Sequence, residues 1–360
     1  MLNKIEDLDQ KNKRMEAYWN MEVLDRGCIS VTAPGGEMPA DIDELISDHI
    51  WWQIMGITKE MTPHHLVKAF MKLISKTHFM GEALPVVNIP GNILFTALGG
   101  KGEIREKTIW VEPTIRNCGD WEKYRFDPEN QGVRKAIEWT RILAREAPGN
   151  YLMQSTGCIG ALDTMAIMED TSQFYMDLVT EECEDAVKNA HRECLKGCKY
   201  YMEEMDKLTH DTGQKGFYSF PGIYAPRRIN FFSADWSGSI SPRLFEKWMV
   251  PEIETMAGFC PYSIYHLDGP EAVKHLPMIA EVKELNGIQY IPGAGNEDIK
   301  DALPVYKKIQ QLGKVQWILE DFFKMDAIMQ ELSPEGVFIV TRAPDREAAE
   351  GLLKKAKKWT

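Results

Sequence analysis

The sequence of 360 residues contains no apolar run of about 18 residues, the length that a helix needs to span a bilayer. It also has no excess of positive charge, because 42 Lys and Arg residues stand against 54 Asp and Glu residues, giving a formal charge of −12. Binding to nucleic acid or to an anionic membrane surface requires a basic face. We therefore expect neither nucleic acid nor a membrane as a partner.

The sequence shows neither a signal peptide nor the cysteine spacing of a disulfide scaffold. Its amino terminus, MLNKIED, becomes charged at once. Seven cysteines in a chain of this length, without a scaffold pattern, predict reduced thiols and a cytoplasmic protein. His191, Cys194 and Cys198 fall on one helical face, but their charged neighbours are typical of an ordinary surface helix.

Complete nucleotide-binding and nucleophile motifs are also absent. Residues 99–102 (GGKG) lack the upstream glycine and the Ser or Thr of a phosphate loop. The serine in residues 237–239 (SGS) lacks the two flanking glycines of a nucleophile elbow. Residues 293–298 (GAGNED) lack the third glycine of a dinucleotide fingerprint, although a ligand at a helix amino terminus and a tight turn both fit this segment.

Short β-branched or aromatic runs alternate with longer helical patterns through most of the chain. The predicted strands are 84–89, 151–155, 216–220 or 230–233, 263–267, 288–291, 315–319 and 337–340, and a short apolar run at 28–32 precedes them. The predicted helices include 2–24, 40–80, 271–285, 299–312, 322–331 and 346–358. This alternation predicts a parallel sheet, and about seven or eight units favour a closed (β/α)₈ barrel over an open doubly wound sheet. We expect residues 1–80 to form a helical extension packed on a barrel of residues 81–360.

In such a barrel, catalytic groups lie at the carboxyl ends of the strands. The polar or flexible residues at or just past the carboxyl ends of the predicted strands are Asn88, Asp235, His266, Asp268, Gly293, Glu320 and Arg342. His266 and Asp268 lie two residues apart on an extended segment, so their side chains share a face, which suits a shared metal or a carboxylate-assisted base. The alternatives are a rim histidine and, for Asp235, a turn or helix cap. Trp236 and Tyr290 are candidates for lining the pocket of a flat organic substrate.

Two segments carry a resemblance to a known family. Residues 233–242 (SADWSGSISP), followed by residues 265–269 (YHLDG), resemble the uroporphyrinogen decarboxylase superfamily over roughly residues 140–355. The resemblance implies a (β/α)₈ barrel. The superfamily includes porphyrinogen decarboxylases and zinc methyltransferases that work with corrinoid proteins.

Departures from the family pattern decide between these two branches. The decarboxylases carry an amino-terminal arginine segment that grips substrate carboxylates, whereas this sequence has TAPGG at residues 32–36. The thiol methyltransferases bind zinc through a His-x-Cys pair and a later cysteine. Here Asp268 occupies the first cysteine position, and the region of the second has Thr341 and Arg342. A zinc site formed by His266, Asp268 and Glu320 would have harder ligands, nitrogen and oxygen, than the thiolate site of those methyltransferases.

The resemblance and these departures lead to one expectation and two alternatives. We expect an enzyme that moves a methyl group from a small methoxylated or N-methylated compound to a corrinoid carried by a partner protein. Zinc would polarise the methyl donor, or His266 with Asp268 would supply the proton to the leaving group. The alternatives are a decarboxylase or lyase that holds a small acid with Arg342 or Arg228, and a non-catalytic tetrapyrrole-binding barrel. A homodimer is a further option.

Overall fold

The computed structural model describes residues 7–36, 62–87, 101–105, 108–154, 160–219, 222–293, 295–296 and 298–360. It is a mixed α/β protein whose largest sheet contains seven strands. No helix in these ranges combines the length and the apolar character that crossing a membrane requires. Asn88 and most of the predicted 40–80 helix lie outside the described residues.

The seven-stranded sheet is parallel except at one edge. In spatial order its strands are β2 (Thr77–Gly81), β1 (Cys28–Pro34), β13 (Val337–Arg342), β12 (Val315–Leu319), β11 (Gly287–Ile291), β10 (Tyr262–Asp268) and β9 (Ile229–Ser233). Only β2 runs antiparallel to its neighbour, β1. The first 80 residues therefore contribute two strands to the sheet as well as helices, and the prediction of helix as far as residue 80 is wrong over β2.

Six further strands among the described residues lie outside this sheet and form pairs. They are β3 (Val86–Val87) with β6 (Leu152–Met153), β4 (Lys101–Arg105) with β5 (Thr108–Glu112), and β7 (Phe217–Ser219) with β8 (Ile223–Ala225). Only the β3–β6 pair is parallel. Over the described ranges the sheet is open, since β2 and β9 are its two edges. The structure thus confirms the parallel strands and the α/β class expected from the sequence, but it does not show a closed barrel.

Twelve α-helices of six or more residues, among the residues that the structure describes, surround or flank the strands. They are α1 (Leu8–Trp19), α2 (Pro63–Ser75), α3 (Cys118–Lys123), α4 (Gln131–Glu146), α5 (Ala161–Met168), α6 (Thr171–Val179), α7 (Glu184–His210), α8 (Val250–Gly258), α9 (Leu276–Glu281), α10 (Ile299–Gln311), α11 (Met325–Glu331) and α12 (Arg346–Ala356). Local sequence sets several of their starts. Asp170, Asp298 and Asp345 accept backbone N–H groups at the first turns of α6, α10 and α12.

Side chains alternate between the two faces of the sheet, and each face has its own apolar cluster. We call one the site face; its cluster includes Ile264, Trp317 and Phe338. The other, the helix face, packs Tyr265, Leu267 and Ile318 against the surrounding helices. Burial on both faces explains why strands such as β12 and β13 read as continuous apolar runs in the sequence.

The cysteines differ from their sequence-based interpretation in two ways. Cys118, at the start of α3, forms a disulfide with Cys183, so the expectation of reduced thiols is wrong for this pair. The two residues are 65 positions apart and meet only through the packing of α3 near the start of α7, which sequence spacing does not reveal. In α7, Cys194 and Cys198 are fully buried, so this helix presents a buried face rather than lying wholly on the surface.

Candidate functional site

His266 lies near the carboxyl end of β10, on the site face, with an 18% exposed side chain. Its Nδ1 lies 2.6 Å from Oε1 of Gln289, the residue paired with it in register on β11. An Nδ1–H donating to this amide oxygen fixes the plane of the ring. Nε2 is therefore the nitrogen that remains available to a bound molecule.

Two carboxylates face that nitrogen. The distances from His266 Nε2 are 3.8 Å to Oδ1 of Asp235 and 3.9 Å to Oδ1 of Asp268. Burial, followed by repulsion from Asp235, raises the pKa of Asp268 above its usual value, while His266 opposes the rise. Asp235 is more exposed, at 58% of its side chain against 39% for Asp268. The structure thus brings together three residues that are separate in the sequence, in a partly open position at the strand ends.

A third carboxyl group, which the sequence reasoning missed, lies behind this group. Asp163 on α5 is 5% exposed, and its Oδ2 accepts a hydrogen bond of 3.2 Å from the hydroxyl of Ser233. Burial raises the pKa of Asp163 well above its usual value, and the charge of Asp235 raises it further. The sequence contains one signal that could have indicated this residue, because Asp163 is the single acidic residue in the otherwise apolar helix ALDTMAIM.

The floor beneath His266 is aromatic. The ring of Phe231 lies 6.0 Å from the imidazole and 5.1 Å from Trp317, measured between ring centroids. Leu319 lies two residues beyond Trp317, and Arg342 lies four residues beyond Phe338, so the alternation of the strands places both side chains on the site face. Both residues are exposed. An apolar floor with charged groups at its rim is typical of a site for a small organic molecule.

Glu320, predicted as a third metal ligand, is held by other partners. Its Oε1 accepts a hydrogen bond of 3.1 Å from Tyr306, and its Oε2 lies 2.7 Å from Nζ of Lys324. In the part of the chain that the structure describes, the ligand atoms of His266, Asp268 and Glu320 do not form a compact set. The residues present therefore do not fit the zinc site expected from the sequence, and we derive no chemical step through a metal here.

Tyr290 and Trp236 are packed into the core. Tyr290 follows Gln289 directly and so belongs to the helix face, where its ring meets Tyr306 at 5.9 Å. Trp236 is 9% exposed and packs against Phe174 of α6 at 5.3 Å. Little of either ring is left to contact a substrate.

The remaining candidates lie at different ends of the strands. Gly293, with a φ of +74°, follows β11, and a Cβ atom added to it would lie 3.8 Å from the Cα of Gly269, the residue after Asp268. Arg228 precedes β9, at the opposite end of the sheet from His266, and its guanidinium contacts the carbonyl of Phe259 and the carboxylate of Asp206. An arginine in that place does not reach a substrate at His266.

Comparison with known proteins adds one result about the fold. No protein-family model and no curated protein matches the sequence. The chain is similar to the solved structure of a methyltransferase from Methanosarcina mazei, with a TM-score of 0.59 and 13% sequence identity, over 97% of this chain and 98% of that one. Since the similarity covers nearly the whole of both chains, the two proteins share a fold.

Proposed function

We propose that this protein is a methyltransferase that moves a methyl group from a small methoxylated or N-methylated compound to a corrinoid carried by a partner protein. The observation that carries the proposal is the position of His266, whose free nitrogen faces Asp235 and Asp268 above an aromatic floor. The shared fold with a methyltransferase supports the same reaction class.

The proposed chemistry needs a proton at the leaving group. A cobalt(I) corrinoid attacks the methyl carbon, the bond from that carbon to oxygen or nitrogen breaks, and its electron pair stays on the leaving atom. Protonated His266 gives its Nε2 proton to that atom as the bond breaks. Asp235 and Asp268 balance the positive charge of the ring beforehand, and Gln289 holds the ring in position. Phe231 supplies apolar surface for the body of the donor, and the fully buried ring of Trp317 supports Phe231 from beneath.

The same proposal includes a complete (β/α)₈ barrel. The parallel β3–β6 pair would complete eight strands with the parallel strands of the large sheet. One backbone contact supports this: Gly160, after β6, donates its N–H to the carbonyl oxygen of Ser233 at the end of β9. This bond links the chain after β6 to β9, which is one edge of the large sheet.

The direct test mixes the purified protein with cob(I)alamin and a panel of methoxylated aromatic and N-methylated donors, and follows the absorbance of methylcobalamin. We expect His266→Ala to reduce the rate by about 100-fold or more, as for loss of a general acid. Asp326→Asn is a matched control for Asp268→Asn, because Asp326 is an exposed carboxylate paired with Lys355 on α12. We expect only Asp268→Asn to slow the transfer.

Two results would reject the proposal. One is the absence of methylcobalamin with every donor, both with free cob(I)alamin and with a cobalt(I) corrinoid protein. The other is release of carbon dioxide from a panel of small carboxylic acids at a rate that depends on His266, which would establish the decarboxylase alternative instead.

A further inference from the structure

A second group of reactive side chains lies away from His266, where α3, α6 and the start of α7 meet. It consists of Cys118, Cys183 and Asp177, and one potential ligand atom from each lies within 4.8 Å of the other two. Cys118 is partly exposed, whereas Cys183 and Asp177 are buried. The thiols are joined as a disulfide in this structure.

The carboxylates beside the disulfide have unsatisfied oxygen atoms. Asp177 is 2% exposed; its Oδ1 accepts 2.8 Å from the amide of Gln173, but its Oδ2 has no hydrogen-bond donor among the described residues. Glu169, also 2% exposed, accepts from the indole of Trp121 through Oε2, and its Oε1 likewise lacks a donor. Neither carboxylate takes part in any ion pair that the described residues form. Two buried acidic groups without a cation are costly unless a proton or a metal ion neutralises them.

We propose that Cys118, Cys183 and Asp177 form a redox-gated site for a thiophilic divalent cation such as Zn²⁺. The two soft thiolates favour zinc over magnesium or calcium, the carboxylate is a common third ligand of zinc, and three protein ligands leave one tetrahedral position for water. Two sulfurs bound to one zinc ion lie roughly 3.8 Å apart, given Zn–S bonds of about 2.3 Å. The disulfide holds the sulfurs closer than this and removes their charge, so the oxidised protein does not bind the metal.

The two states interconvert by balanced steps. A dithiol reductant supplies two electrons and two protons, which break the Cys118–Cys183 bond to give two thiols, and the reductant becomes a disulfide. Zn²⁺ then forms bonds to both sulfurs and releases their two protons to solvent. Oxidation by a small-molecule disulfide reverses the sequence and expels the metal.

Cobalt(II) is the probe of choice, because a thiolate bound to Co²⁺ gives a near-ultraviolet charge-transfer band that oxygen and nitrogen ligands do not give. Titration of the fully reduced protein with Co²⁺, without oxygen, should produce this band at one equivalent, and Zn²⁺ but not Mg²⁺ should abolish it. The band should disappear in Cys118→Ser and weaken in Asp177→Asn. Cys260→Ser is the control, since Cys260 is buried and outside the disulfide. Cobalt bound at His266 would not give this thiolate band, because that site contains no sulfur.

A second measurement applies even where the cysteine variants fail to fold. Treating cobalt-loaded wild-type protein with a small-molecule disulfide should abolish the band and leave two fewer titratable thiols after unfolding. The proposal is overturned if reduced wild-type protein shows no thiolate–cobalt band, or if the band survives Cys118→Ser or formation of the Cys118–Cys183 disulfide.

Discussion

Gln289 and His266 lie opposite each other on neighbouring parallel strands, with 2.6 Å between the amide oxygen and Nδ1 of the ring. The amide has no charge, so it orients the imidazole without competing with Asp235 and Asp268 for the proton on Nε2. This contact makes Gln289 a positioning residue in the proposed reaction.

We expect Gln289→Leu to lower kcat/KM for methyl transfer by about 10- to 100-fold, because the ring loses its orienting partner. Gln289→Asn should recover little, since the shorter amide does not span the gap. The control is Gln316→Leu, which changes a buried glutamine of β12 whose side-chain amide has no hydrogen-bond partner within the described ranges. Equal rates for Gln289→Leu and wild-type protein would show that the contact does not position the ring.

A buried ion pair ties α1 and β1 to the turn after β2. Glu82 is fully buried, accepts two hydrogen bonds from Arg26 and one from the backbone of Ile29, and lies 3.2 Å from Arg14. Removing its charge leaves the buried guanidinium of Arg26 without a charged partner among the described residues, whereas Arg14 keeps its contact with Asp25. We expect Glu82→Gln to lower the free energy of unfolding by about 3 kcal/mol.

Chemical denaturation measures this change. Glu350→Gln breaks an exposed pair with Arg346 and is the matched control, with an expected effect below about 1 kcal/mol. Similar midpoints for the two variants would mean that water already solvates Glu82.

Asp206 predicts a specific dependence of stability on pH. Burial raises its pKa to about 7, with Arg228 opposing and Glu203 adding to the shift. The folded state therefore prefers the protonated acid, and the stability this contributes is lost as the pH rises from the unfolded value near 3.8 to about 7. Between pH 5 and pH 8, wild-type protein should lose about 2 kcal/mol more than Asp206→Asn.

Urea unfolding of both proteins across this pH range is the measurement. Asp211→Asn, at an exposed position just past α7, should show the same pH profile as wild-type protein. Parallel profiles for wild-type protein and Asp206→Asn would contradict the raised pKa.

Gly81 lies at the end of β2 with a φ of +58°, against the backbone of β1. A Cβ atom here would collide with the carbonyl oxygen of Ile29, which cannot move without distorting β1. We expect Gly81→Ala to cost more than about 2 kcal/mol, the sum of a left-handed conformation and a steric clash. Gly149→Ala has a similar positive φ but open space around the new atom, so thermal unfolding should show a loss of only about 1 kcal/mol.

Much of the strand arrangement could be predicted from the sequence, because buried parallel strands are short apolar runs bounded by turn residues. The prediction matches β12 and differs from β11 by one residue and from β10 by one residue at each end. The juxtaposition of His266, Asp235 and Asp268 was a consequence of the same logic, since parallel strands end at a common edge.

The features of the site that could not be predicted from the sequence depend on which face of the sheet each residue occupies and on contacts between distant segments. Gln289 lies within a strand and Asp163 within an apolar helix, and neither follows a strand end where candidates were sought. Tyr290 does lie near a strand end, but it is one residue away from Gln289 along the strand, so its side chain is on the opposite face and packs against Tyr306. Glu320 reads as an isolated charge until α10 and Lys324 are seen to bind both of its oxygens.

The alternation of side chains along β11 also determines where the protein tolerates insertions and deletions. Adjacent residues of this strand serve opposite purposes: Gln289 supports the imidazole, and Tyr290 fills the layer beneath α10. A deletion or insertion of one residue upstream in β11 would exchange them, presenting a phenol to His266 and forcing an amide among aromatic rings. Changes in loop length are therefore better absorbed after β11 than within it, and laboratory evolution of the substrate pocket should keep this strand at constant length.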